Sequence, residues 1–195
     1  MRKVTLMELR ELALQSKNNL WDKARALDRD VKLYLHWTAG HYGQFFDSYH
    51  INIDADGSVY VSANDLAAAK SHTYRRNSGA IGISLACAYN ATTNNFGLEP
   101  PTPAQIEAAA QVVAVLAAAL DLTIDLQRVM THAEAADNKD GLNPGYGANG
   151  YPDGRHGPEH SCERWDLWFF PGVAPGEGGN VIRGKANWYR NQGVS

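Results

Sequence analysis

The chain has 195 residues, 44% of them hydrophobic, and 18 Lys+Arg against 21 Asp+Glu give a formal net charge of −3. That length supports one domain with a proper core, or one domain plus an appendage, two cysteines exclude a disulfide scaffold, and no apolar run approaches the roughly 20 residues of a membrane span. The mildly acidic balance argues against nucleic acid as a partner, and seven histidines raise the question of metal binding.

The first 28 residues read as helix. Thr5-Leu6-Met7-Glu8 is a capping-box pattern, and Leu6, Leu9, Leu12 and Ala13 recur at helical spacing. Leu20, Ala24 and Leu27 continue the stripe after Lys17-Asn18-Asn19, so the segment is a scaffold helix or a helical pair. Glu8 falls where a secretory signal would have its apolar stretch, and no such signal is expected.

Lys32 to Trp37 is β-rich and apolar, a buried strand that stops at Thr38-Ala39-Gly40. Tyr49 to Ile53 alternates, Asp54-Ala55-Asp56-Gly57 turns, and Ser58 to Val61 runs back as a hairpin. Ala80 to Ala86 is a further buried strand, its Gly82 pointing to close backbone approach. Thr102, Pro103 and Gln105 open an Ala-rich helix that runs through Leu120. A short extended piece, Arg128 to His132, follows, and from Ala133 to Glu163 Gly, Pro, Asn and Asp dominate. The order reads as one α/β domain, a central mixed sheet flanked by helices, with the N-terminal helical segment (1–28) packed on a domain spanning 29–195.

His36 and His132 each end a predicted strand, which is where α/β proteins place chemistry. Strand ends 96 residues apart in sequence can converge on one point. A hydrolytic zinc site takes three protein ligands and leaves one position open. Spacing alone does not decide it, because no HExxH or CxxC pattern is present, and each histidine taken singly reads as a hydrogen-bonded structural or surface residue.

Several segments together resemble the zinc N-acetylmuramoyl-L-alanine amidases, the group that includes T7 lysozyme and the peptidoglycan recognition proteins. His36-Trp37-Thr38-Ala39-Gly40 resembles the opening H-x-T-A-G motif. Ser48-Tyr49-His50 with Asp56-Gly57-Ser58-Val59-Tyr60 looks like the "(G/S)YHxxI…DGxVY" hairpin. Ser71-His72-Thr73, Asn77 and Ile81 to Leu85 resemble "(S/A)HA…N…SIGIxL". Thr102 to Gln105 matches "TPAQ", Thr131-His132 stands at "GH", and Arg164-Trp165-Asp166 at "(K/R)-x-(C/D)". The six motifs run in order over residues 31 to 170.

The resemblance implies zinc held by His36, His132 and Asp166, with Tyr49 beside the reacting water and Arg164 near the developing oxyanion. Trp37, Thr38, His72 and Asn77 are expected to contact substrate. Cys162 competes with Asp166 as third ligand, since some members use cysteine there. Glu134 and Asp137 read either as orienting a ligand's second nitrogen or as solvated loop acids. Ser84 stands where some amidases place a glutamate, and an insertion over about 135–160 separates the last two ligands; it reads as a lid or a passive loop.

The implied reaction is hydrolysis of the amide between N-acetylmuramic acid and L-alanine. Peptidoglycan or muropeptides are then the partners, with no nucleic acid and no membrane insertion, and the protein is expected to be a monomer. The pattern fits a phage-type endolysin, made in the cytoplasm and acting on the bacterial wall. The alternatives are a non-catalytic muropeptide-binding protein on the same fold, or an intracellular amidase acting on soluble fragments.

Overall fold

The computed structural model describes residues 1–92, 95–142 and 165–195. Among these residues six strands form one mixed sheet: β1 (Arg2–Val4), β2 (Lys32–Trp37), β3 (Ile51–Ile53), β4 (Val59–Val61), β5 (Ala80–Leu85) and β6 (Val129–Thr131), in the order β1-β4-β3-β5-β2-β6. β2 runs parallel to both β5 and β6, and β3 parallel to β5, whereas β1, β4 and β3 pair antiparallel. The predicted hairpin is present as β3–β4, with Ile51 opposite Val61 and Ile53 opposite Val59. The expected α/β class, with a mixed sheet and helices around it, is what the chain adopts.

Among the described residues four helices accompany the sheet: α1 (Leu6–Arg25), α2 (Pro103–Ala119), α3 (His132–Ala136) and α4 (Gly178–Asn191). Thr5 and Glu8 cap α1 reciprocally, as do Thr102 and Gln105 for α2, each box satisfying two otherwise orphaned N–H groups. The N-terminal segment is not helical throughout, because Arg2–Val4 forms an edge strand before the helix starts. Nor is α1 broken at Lys17-Asn18-Asn19. Asn18 and Asn19 lie on its exposed face, and buried Ser16 before them accepts a hydrogen bond from the Leu66 N–H (3.0 Å). Helix α2 is apolar nearly all round and correspondingly buried, packed between α1 and α4.

The period of two along each strand divides the sheet into two unlike faces. Leu33, Leu35, Ile81, Ile83, Leu85, Ile51 and Ile53 pack into the main core with Leu9, Leu12 and Leu20 of α1 and Ile182 of α4. The intervening residues are different in kind: Tyr34 and His36 on β2, Gly82 and Ser84 on β5, and Asn52 on β3. Register sets His36 beside Ser84, and Ser84 beside Asn52. All of these polar side chains are buried. One face therefore supplies the core, and the other holds a polar row that only specific partners can stabilise. Among the described residues no helix is long and apolar enough to cross a membrane.

Candidate metal centre

His36 projects from the polar face one residue before β2 ends, fully buried. His132 arrives differently from expectation. It is the first residue of α3 rather than the end of a strand, because Thr131 closes β6 and at the same time caps the helix with Glu134 in a third capping box. Asp166 lies in a turn whose backbone carbonyl accepts a hydrogen bond from the Ala133 N–H at 3.4 Å. These three elements bring His36 Nδ1 and His132 Nδ1 to 3.1 Å, His132 Nδ1 and Asp166 Oδ2 to 3.1 Å, and His36 Nδ1 and Asp166 Oδ2 to 3.4 Å. Among the described residues this is the one group of three with metal-ligand spacing.

Three such atoms aimed at one point repel one another unless a ring proton or a metal cation lies between them. A tetrahedral zinc site with ligand distances of about 2.0–2.1 Å requires donor atoms about 3.3 Å apart. The observed triangle meets that requirement, and two imidazoles with one carboxylate form a donor set of the hydrolytic kind. The residues therefore fit zinc. Burial alone would raise the Asp166 pKa, but His132 and His36 outweigh it and hold the carboxyl well below its usual range.

Helix α4, which the sequence reading passed over, braces two of the three donors. Arg183 forms a bidentate pair with Glu134, Nη2 to Oε1 at 2.7 Å and Nη1 to Oε2 at 2.8 Å, and also donates to the Val129 carbonyl. Glu134 is thus neither a solvated loop acid nor a partner of a histidine nitrogen; it fixes the start of α3, and with it His132. The contact needs glycine, since a Cβ at Gly179 would come within 2.3 Å of the Glu134 carboxylate. A Cβ at Gly178 would lie 1.9 Å from the carbonyl of Leu167, beside Asp166. A second buried ion pair, Arg76 with Asp140 (Nε to Oδ2, 2.8 Å), ties the loop after His72 to the segment after α3.

The remaining expected site residues divide by position. The Tyr49 ring lies against His36, centroids 5.0 Å apart. His72 is 8% exposed and sits in the hollow left by Gly82, where a Cβ would meet its ring at 2.7 Å. Asn77 uses its Oδ1 to accept from the backbone N–H groups of His72 and Thr73. Thr38 Oγ1 accepts from the Gly40 and Cys87 N–H groups. Trp37, on the opposite face from His36, is 5% exposed and packs edge-on against Trp165 and Phe96. His50 is structural: Nε2 donates to the Ala68 carbonyl and Nδ1 accepts from the Gly82 N–H. Ser84, in place of the glutamate of some amidases, donates to Asn52 Oδ1 at 3.0 Å. Arg164, Cys162 and most of the 135–160 insertion lie outside the described residues. Cys87 is buried, and burial pushes its thiol pKa up, which disfavours the nucleophilic thiolate.

Residues 17–145 match the sequence model of the N-acetylmuramoyl-L-alanine amidase family. The chain belongs to that family. The match takes in His36, Tyr49, His72 and His132 and ends before Asp166 and α4. Solved structures similar to this amidase-family chain include N-acetylmuramoyl-L-alanine amidase LysC from Clostridium intestinale URNW, at 20% identity and a TM-score of 0.39 over 53% of this chain and 70% of that one. The endolysine N-acetylmuramoyl-L-alanine amidase LysCS from the same organism shares 19% identity, TM-score 0.39, over 53% and 68%. PGRP-Hd from Alvinella pompejana shares 18%, TM-score 0.35, over 49% and 69%. No curated protein matches the chain.

Proposed function

We propose that this family member is a zinc-dependent amidase that cleaves the bond between the lactyl group of N-acetylmuramic acid and the L-alanine of the peptidoglycan stem peptide. The observation that carries the reading is the triangle of His36 Nδ1, His132 Nδ1 and Asp166 Oδ2, with Tyr49 against its edge. His36, His132 and Asp166 would hold the metal. When bound, zinc acts as a Lewis acid and brings the pKa of a coordinated water to about 7.

The chain's own groups supply the rest. Tyr49 is assigned the proton handling, because a phenol at the edge of the donor set can orient a water or give up a hydrogen bond as charge develops. Arg164 is assigned to the oxyanion; a guanidinium stays charged throughout the working pH range and so stabilises charge without donating a proton. Trp37, Thr38 and Asn77 are read as wall and struts behind these residues, since their side chains are engaged in packing or in bracing loops. His72 is read as support for His36.

A complete donor set with Tyr49 beside it favours hydrolysis over muropeptide binding without cleavage. The proposal extends to intact wall as the substrate, in an endolysin-type role, and to a monomer as the working unit. Purified sacculi treated with the protein should lose turbidity and gain free L-alanyl amino termini. Chelator should abolish both effects and zinc should restore them. Flat turbidity and no new termini with zinc supplied would rule out the enzyme; turnover of soluble muropeptides alone would rule out the lytic role.

A further inference from the structure

The buried side of His36 carries a second relationship. Its Nε2 lies 3.3 Å from Thr73 Oγ1, and Thr73 Oγ1 lies 2.9 Å from His72 Nδ1. Thr73 is itself buried, at 4% exposure, and its backbone N–H is held by Asn77 Oδ1 at 2.8 Å. His72 is fixed by the hollow over Gly82. A hydroxyl in this place has little freedom, with a ring nitrogen on either side. Thr73 also stands where the resembled "(S/A)HA" motif has alanine, so the hydroxyl is a feature of this chain.

We propose that Thr73 is a positioning residue that fixes the tautomer and ring angle of His36, with His72 orienting the Thr73 hydroxyl. The inference rests on the metal reading above. With Nδ1 of His36 committed to a metal, its ring proton must sit on Nε2, which donates to Thr73 Oγ1. The Thr73 hydroxyl is then free to donate to His72 Nδ1, and the His72 proton is left on Nε2. Every donor along the series from His36 through Thr73 to His72 meets an acceptor except His72 Nε2, which has no hydrogen-bond partner among the described residues. The direction of the chain is therefore set from the metal side. An acceptor on the far nitrogen makes the ligating nitrogen more basic and holds the imidazole in the plane the metal needs.

The test is zinc affinity by chelator competition on wild type, Thr73→Val and Thr73→Ser. Folding is checked by the thermal midpoint of each metal-free protein, with Thr73→Ala in reserve should the valine variant not fold. Removing such a partner typically costs about 10- to 100-fold in metal affinity. Thr73→Val should show a loss of that size, and Thr73→Ser, which keeps the hydroxyl, should recover most of it. In the zinc-loaded wild type the His36 Nε2 proton should give a slowly exchanging imidazole resonance, absent in Thr73→Val. Equal zinc affinity in wild type and a folded Thr73→Val or Thr73→Ala would overturn the inference and leave the metal reading standing. A wild type that binds no zinc would overturn both.

Discussion

Nδ1 of His36 and Nδ1 of His132 face each other at 3.1 Å across 96 residues of sequence, and each is within 3.4 Å of the same Asp166 oxygen. Three separate elements deliver these atoms: the end of a parallel strand, the first turn of a short helix, and a turn pressed against the N-terminus of α4. Loss of any donor should therefore be felt first in metal retention.

Asp166→Ala should reduce bound zinc from about one equivalent to near none, because two imidazoles leave an incomplete hydrolytic set. Cys162→Ala should keep its metal. Elemental analysis of both variants after dialysis separates the two candidates for third ligand. Zinc lost from the cysteine variant and retained by the aspartate variant would reverse the assignment.

Tyr49 touches the His36 ring without being one of the three donors. Tyr49→Phe should lower kcat by about 10²- to 10⁴-fold, the usual contribution of a positioned proton-handling group. Its zinc content should match the wild type. A variant with full activity would remove Tyr49 from the chemistry.

Arg183 and Glu134 form a buried bidentate pair, their side chains 9% and 6% exposed. Arg183→Leu leaves the Glu134 carboxylate buried without its cation and should cost about 3–5 kcal/mol of stability. The change should appear as a lower urea midpoint at unchanged slope. Adding Glu134→Leu should recover part of the loss, since the uncompensated charge goes with it. An Arg183→Leu protein as stable as wild type would show that α4 does not brace the site.

Stability should also depend on pH through His50. Desolvation comes first among the causes that bring its pKa down to about 4; Lys70 adds to the effect, while the bond to the Ala68 carbonyl and Asp65 oppose it. A second proton on Nδ1 would have to displace the Gly82 N–H that this nitrogen accepts. The unfolded chain takes up that proton near pH 6.5 and the folded chain does not until about pH 4. Stability is thus full above pH 6.5 and declines as pH falls toward 4, by at most about 3 kcal/mol for this group. His72, driven down by burial and then by His36, His50 and His132, acts in the same direction. Urea midpoints of the metal-free protein at pH 7 and 4.5 should differ, and His50→Gln should narrow the difference. Equal midpoints in the wild type would contradict it.

Local signals carried much of the fold. The hairpin was legible because residues 49–61 alternate around an Asp-Gly turn, and α2 because Thr102, Pro103 and Gln105 state its start in four residues. The third capping box, Thr131 with Glu134, was equally present in the sequence and would have placed His132 on a helix rather than at a strand end. Edge strand β1 has only three residues, too few for periodicity to separate from the helix that follows. In α4, Ile182 and Ala186 do recur at helical spacing, but its decisive partner, Glu134, lies 49 residues away and no local pattern announces an ion pair of that range. The same holds for Thr73, whose role depends on the distance to His36 and not on its neighbours in sequence. His36, His132 and Asp166 were brought together by ordered motif resemblance, and the structure gives the three a common point.

The most direct measurement is mass spectrometry of the products released from purified sacculi by zinc-loaded wild type and by Asp166→Ala. The wild type should yield stem peptides beginning with free L-alanine, and glycan strands whose muramic acids carry an unsubstituted lactyl carboxylate; Asp166→Ala should yield neither above the untreated control. Cleavage at another bond, or the same products at the same rate from Asp166→Ala, would contradict the account.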